Sequence, residues 1–418
     1  MSASPFYVEH LPNGLTLLGQ YMPEVQSATV CFAVNTGSRD EERPLKGISH
    51  FLEHMVFKGT ATRSTEQINR AFEEMGAENN AFTSHEGTTY FAKVLKDRIP
   101  ACVELLADMM HPRLLADDFT MERNVILEEI ARYEDFPSAK LSKHMLDRYF
   151  ADHPLAGDIL GTPETLTAMS VEDMRAYCGR RYAPNNMIFA IAGNFQWPEV
   201  KAQVESLCGA WPRGDADRAI TPAHPAPLVE ALVDEKLQQQ HIYMLLPGTA
   251  REDPDRYIAA VLLTVLGDES GSRLFWAIHQ SGLAEAVGAE LLPLLGVGVL
   301  LTYMITSPDK APAALAAVRA ELHRLQEHGV TEDELEQAKI KLATGQVIEG
   351  ESTNRRMFSL VDDWVALGRL ETLQEQVTAI NGVTAADCRR LLERLPLNDL
   401  QVVGGLGPLT REQMLAAV

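Results

Sequence analysis

One run, Trp211 to Pro227 (WPRGDADRAITPAHPAP), limits most strongly how this chain can fold. Its four prolines remove backbone donors and fix φ, and its polar residues show no period, so neither a helix nor a central strand can pass through it. It reads as a linker over residues 213–228. The 418 residues then divide into a first domain at 1–212 and a second at 229–418. Length asks for the same division, because single cores stop growing near ~250 residues.

Each half runs in the same coarse order: strands, then helices, then a closing strand. In the first, LTLLGQYM and ATVCFAVNTG read as strands ending at Gly37, and GISHFLEHMVF reads as a helix ending before Gly59. In the second, HIYMLLPG takes the place of ATVCFAVNTG, and Asp255 to Gly267 reads as a long apolar helix. The expected fold class is therefore α+β, a duplicated unit of mostly antiparallel sheet flanked by helices. The uncharged stretch Leu291 to Pro308 is long enough to raise the question of a membrane span. Pro293, Gly296, Gly298, Thr302 and Ser307 make it two buried strands joined by a turn instead.

Charge excludes whole classes of partner. With 37 basic and 58 acidic residues the formal net charge is 37 − 58 = −21. That repels a nucleic-acid backbone and an anionic membrane surface, so neither is expected as a partner. Five cysteines, Cys31, Cys102, Cys178, Cys208 and Cys388, show no C-x-x-C spacing and an odd count, and read as buried thiols in a reducing compartment. The start, MSASPFYVEH, lacks the basic and apolar runs of a signal peptide. The expected location is cytoplasmic, or periplasmic if a leader has been removed.

The chemistry concentrates in His50-Phe51-Leu52-Glu53-His54. Residues four apart share a helix face, so both imidazoles can reach one ion while Glu53 projects beside them. Imidazole is a good zinc donor, and a catalytic zinc keeps one position open for water, whose proton a neighbouring carboxylate can take. Glu53 fits that base. The plainer alternative is two histidines and an acid on a solvated helix face.

A third ligand is best sought in the helical pattern from Asp117 to Ile130, which opens on an Asp N-cap and carries Val125, Ile126 and Ile130 on an apolar stripe. Glu122 and Glu129 lie seven apart on the face shared with Ile126 and Tyr133, where acids are costly unless paired or bound to metal. Glu129 is the expected third ligand, and Glu122 the acid that orients a histidine or the water. Glu128 points off that face. A solvated acidic edge is the alternative for this pair taken alone. A closed structural site would need a fourth ligand, and the spare histidines His85 and His111 read as surface residues.

These motifs resemble the pitrilysin/insulinase metallopeptidases, the inverzincins with H-x-x-E-H, and among them the shorter processing-peptidase-like bacterial proteins. The likeness runs through GISHFLEHMVFKGT, Asn80-Ala81-Phe82-Thr83-Ser84, TTYFAKVL, ERNVILEEI, HPLAGDILGTPETL and YAPNNMIFAIAGNF, and weakly through SGSRLF. It implies two αβ-roll domains forming half of a clamshell. It also implies one Zn2+ per chain on His50, His54 and Glu129, with Glu53 as base. The interval from second histidine to distal acid, 129 − 54 = 75, agrees with the family's spacing. An edge strand at Asn80, Ala81 and Phe82 is implied to bind peptide substrate as an added, extended strand.

One departure from the family pattern stands out. Relatives carry an arginine and, seven residues on, a tyrosine in the second half, held to steady the substrate carbonyl and its developing oxyanion. Here LFWAIHQSGLAEAV places His279 and Glu285 at those positions, with one residue deleted. An ionised carboxylate cannot donate a hydrogen bond. A paralogous subunit is therefore expected to supply the Arg/Tyr pair in a heterodimer, a homodimer being the lesser alternative. Local substitution by Arg273 and Tyr303, and a non-catalytic assembly or peptide-binding role, are the competing readings.

Overall fold

The computed structural model describes residues 6–398 and 402–415. The first five residues of the start weighed above lie outside the described residues. The chain forms two compact units. One gathers Met1–Arg132, Gly157–Ala219 and Ile348–Thr372; the other gathers Tyr133–Ala156, Ile220–Val347 and Leu373–Val418. Among the described residues no helix is long and apolar enough to cross a membrane.

The first unit is built on strands β1 (Phe6–His10), β2 (Thr16–Tyr21), β3 (Ser27–Val34), β4 (Glu78–Thr83), β5 (Thr88–Leu95) and β6 (Met187–Gly193), in the order β1-β2-β6-β3-β5-β4. The second holds β7 (Leu228–Val233), β8 (Gln240–Gly248), β9 (Ala286–Leu294), β10 (Val297–Thr306) and β11 (Val402–Gly407), in the order β7-β11-β8-β10-β9. Without β1, the two orders are the same. In both, the closing strand inserts parallel to the first, β6 beside β2 and β11 beside β7. The other pairings are antiparallel. The duplication inferred from element order is thus a duplication of topology, and Leu291 to Pro308 falls within the β9–β10 hairpin and just beyond it.

Apolar composition explains the central positions. The strand β6, MIFAIAG, is buried along its whole length. Phe189 and Ile191 face a core with Phe32, Phe51 and Leu52, while Ile188, Ala190 and Ala192 face Cys31, Met357 and Leu360. A strand covered on both faces must be apolar throughout rather than alternating.

The contiguous boundaries at 1–212 and 229–418 need correction at two helices. The helix α3 (Pro137–Phe150) comes from the first half but packs Leu141, Met145 and Tyr149 on Leu245, Val299 and Val402 of the second sheet. Its approach is so close that a Cβ on Gly404 would meet Met145 Sδ at 2.0 Å. Conversely α5 (Thr353–Leu367) comes from the second half and covers the first sheet through Met357 and Leu360. There Thr29 Oγ1 contacts Thr353 Oγ1 at 2.9 Å and donates to Asn354 Oδ1 at 2.6 Å, and Arg356 Nε donates to Gln20 Oε1 at 2.8 Å. The cut between the remaining blocks, at Ala219/Ile220, lies inside the Pro-rich run.

Candidate metal centre

The helix α1 (Ile48–Val56) carries the histidine pair. Its N-cap, Gly47, has φ 96°, a conformation that favours glycine, and a Cβ there would meet Leu160 O at 2.6 Å. N–H groups at the start of the helix are taken by a side chain from the segment just upstream of it. Glu41 Oε2 accepts from Gly47 N at 2.9 Å and Oε1 from Ser49 N at 2.8 Å. Ser49 Oγ in turn meets Tyr177 Oη at 2.7 Å. Ile48, Phe51, Leu52 and Met55 are buried in the core, and the opposite face presents the two imidazoles, whose ring centroids are 4.8 Å apart.

Against it lies α2 (Ala116–Glu134), anchored by Phe119, Ile126 and Ile130 and by Phe51 stacked on Phe119 at 4.4 Å. The helix starts at Ala116, so Asp117 and Asp118 sit in its first turn, where they favour the macrodipole, rather than at the cap. Glu122 is buried, Glu129 half-buried, and Glu128 and Val125 exposed.

One atom each from His50, His54 and Glu129 lies within 4.8 Å of the others. His50 Nε2 is 3.8 Å and His54 Nε2 3.7 Å from Glu129 Oε2. Those separations are too long for hydrogen bonds and suit donors sharing an ion. Two imidazoles and one carboxylate form the donor set of a catalytic zinc site with an open position, so the residues fit the ion.

Protonation states agree with that fit. Lys58 Nζ pairs with Glu122 Oε1 at 2.5 Å, and His54 Nδ1 lies 3.1 Å from Glu122 Oε2. A carboxylate only accepts, so Nδ1 carries the proton and the Nε2 lone pair of His54 points at the shared position. His50 is held neutral by burial and then by its histidine neighbour, its pKa lowered to about 4. Its Nδ1 is buried with no hydrogen-bond partner among the described residues, so no such carboxylate orients this ring.

Glu53 Oε2 accepts from Thr83 Oγ1 at 2.6 Å. Burial raises the Glu53 pKa above the ordinary carboxylate value, with the Thr83 bond opposing. Thr83 ends β4, the edge strand of its sheet. Ser84 N donates to Gly87 O, so by antiparallel alternation the Thr83:Thr88 and Ala81:Tyr90 pairs leave their main-chain groups facing the free edge. Ala81 N is instead met by Asn80 Oδ1 at 2.9 Å. Side chains alternate as well. Ala81 shares the face of Thr83 and packs on the main core, while Phe82 lies on the other face beside Phe91 and Phe358. The strand thus divides Asn80, Ala81 and Phe82 between two faces.

In the second unit, Glu285 Oε2 accepts from Gln239 Nε2 at 2.5 Å. Arg273 is committed to Glu334, 2.7 Å away, and to Gly329 O. Tyr303 lies beside Tyr243 on the sheet, ring centroids 6.3 Å apart. His111 is exposed against Trp211. His85, expected at the surface, is half-buried, with Nδ1 3.0 Å from Ser38 Oγ. Lys58, Thr83 and Glu41 escaped sequence reasoning. Only Lys58, one turn beyond His54, lies near enough in sequence to have been sought.

Fold and donor set together define a metallopeptidase scaffold. Residues 17–163 match the family described as insulinase, peptidase family M16, and residues 168–342 match the peptidase M16 inactive domain. An uncharacterized zinc protease of Streptomyces coelicolor is 33% identical over 413 residues, covering 95% of this chain and 89% of the relative. The chain belongs to peptidase family M16, the pitrilysin/insulinase metallopeptidases. A Helicobacter pylori protease superposes with a TM-score of 0.89 at 21% identity over 96% of this chain and 99% of that one. A chain of complex III2 from Candida albicans gives 0.85 at 19% identity over 98% and 99%. Those two likenesses concern the fold.

Proposed function

We propose that this chain is a zinc-dependent endopeptidase acting on unfolded peptides, with one zinc ion held by His50, His54 and Glu129. The convergence of their donor atoms beside Glu53 carries the reading. A bound zinc ion supplies Lewis-acid polarisation of a carbonyl and lowers the pKa of a water toward ~7. Glu53, with Oε2 engaged by Thr83, uses its other oxygen to take the proton from the attacking water. It later returns that proton to the amine nitrogen as the C–N bond breaks. Glu122 keeps the His54 tautomer. The edge of β4 receives the peptide main chain, Ala81 leaving room for close approach and exchanging its Asn80 contact for a substrate carbonyl.

The missing Arg/Tyr pair supports a paralogous subunit that completes an enclosed chamber in a heterodimer, in the cytoplasm. The test is zinc content and cleavage of an internally quenched extended peptide, for wild type and Glu53→Gln, each with and without the paralogue. Glu53→Gln should keep zinc and lose roughly 10²- to 10⁴-fold in rate. Unchanged cleavage removes Glu53 as base, and a wild-type rate indifferent to the paralogue removes the heterodimer. A second reading, a non-catalytic peptide-binding or assembly subunit, draws support from His279 and Glu285, and predicts zinc binding without cleavage in either arm.

A further inference from the structure

We propose that Thr83 is a positioning residue for Glu53, an inference that rests on the base role given to Glu53 above. The hydroxyl has one proton and two acceptors in reach, Glu53 Oε2 at 2.6 Å and Thr88 Oγ1 at 3.5 Å. Thr88 Oγ1 gives its own hydrogen to Thr36 O at 2.8 Å and offers Thr83 only a lone pair at the limit of bonding range. The Thr83 proton therefore goes to Glu53. One carboxylate oxygen is held as an acceptor, and the other is left to work on water.

The donor is also rigid. Threonine is stiff at χ1. Its strand is paired with β5 from Glu78↔Lys93 to Thr83↔Thr88, and the next side chain back, Phe82, rests edge-on against Phe91 and Phe358 on the opposite face. Glu53 has three side-chain torsions of its own and is half-buried. Without the hydroxyl, its carboxylate would swing among rotamers.

Thr83 also stands in a non-bonded pair of β4, so its main-chain groups face the edge proposed to take the peptide. The same residue then ties the register of the bound strand to the position of the base. A peptide slipped by one residue would meet a base still aimed at the original site.

The test compares Thr83→Val, which removes the hydroxyl at nearly constant shape, with Thr83→Ser, which keeps it. The zinc-loaded full-length chain is assayed on the quenched peptide with the paralogue present, and zinc affinity is measured separately by competition with a chromophoric chelator. Thr83→Val should lower kcat by roughly 10- to 100-fold with KM within about twofold of wild type. Thr83→Ser should return kcat to within about threefold of wild type, and both variants should keep wild-type zinc affinity. Wild-type kcat in Thr83→Val, or a Thr83→Ser as slow as Thr83→Val, overturns the inference while leaving the base role intact. Loss of zinc from Thr83→Val overturns it in favour of a structural role. If Glu53→Gln cleaves as fast as wild type, or wild type cleaves nothing, the underlying function fails and the inference falls with it.

Discussion

The two units share a strand order, yet they differ completely where the first helix follows the third strand of the shared order. In the first unit that helix, α1, places His50, Glu53 and His54 opposite its buried face, and β4 at the sheet edge is polar and exposed, ENNAFT. In the second, the equivalent helix α4 (Arg256–Gly267) reads RYIAAVLLTVLG with Ile258, Val261, Leu262, Val265 and Leu266 buried. Its edge strand β9 is apolar and contains Pro293, which cannot donate to an added strand. The topology therefore does not depend on the polar site. Chemistry is written on surfaces that the duplicated core leaves free to vary.

Replacing both histidines, His50→Leu with His54→Leu, is the sharpest way to break that comparison. If the site is separable from the fold, zinc binding should vanish by metal analysis while far-UV circular dichroism stays native. The variant should melt no lower than metal-free wild type, because apolar side chains replace one buried and one half-buried imidazole. Collapse of the fold would show that the first unit, unlike the second, needs its polar face.

A smaller effect is expected one layer out. Glu122→Gln should weaken zinc binding by roughly 10- to 100-fold, since the amide no longer fixes the His54 tautomer. Lys58→Met should weaken it less, both read by chelator competition. Hydrogen exchange in β8 and β10 should not change in either variant.

A separate effect, read on stability rather than on metal binding, concerns Glu41, whose pKa burial raises from 4.5 to about 7 against its bonds from Ser49 and Gly47. The folded value lies above the unfolded one, so the fold prefers the protonated acid. That contribution is fully present below pH ~4.5 and is lost as pH rises through about 7, at up to ~1.4 kcal/mol per pH unit. Urea unfolding of the metal-free chain at pH 5 and pH 8 should show the loss. Glu41→Gln should flatten it, while giving up one of two acceptor contacts on α1.

What the sequence made legible follows from range. His50, Glu53 and His54 declare themselves because four residues on a helix are one turn, and Glu129 because it shares the face of Glu122. The Pro-rich run from Trp211 was readable because proline acts locally. Thr83 was not, since nothing in a strand reveals which distant acid its hydroxyl meets. Glu41 caps a helix from outside its own turn, and the usual cap pattern does not cover that case. The helices at residues 137–150 and 353–367 exchange sheets for a similar reason: periodicity says which face of a helix is apolar and nothing about which sheet that face will cover.

The placement of α5 has a bearing on how the protein comes to exist. As the chain leaves the ribosome, the first sheet is complete at Gly193, but the helix that covers Leu18, Cys31, Ala33, Ile188, Ala190 and Ala192 is not made until residue 367. Vectorial synthesis usually lets an N-terminal domain fold first and alone. Here that early domain must wait, with one apolar face bare, through the translation of most of its twin. A fragment ending at the Pro-rich run would be an unfinished object, prone to self-association, and the order of birth of the two units need not be the order in which they mature.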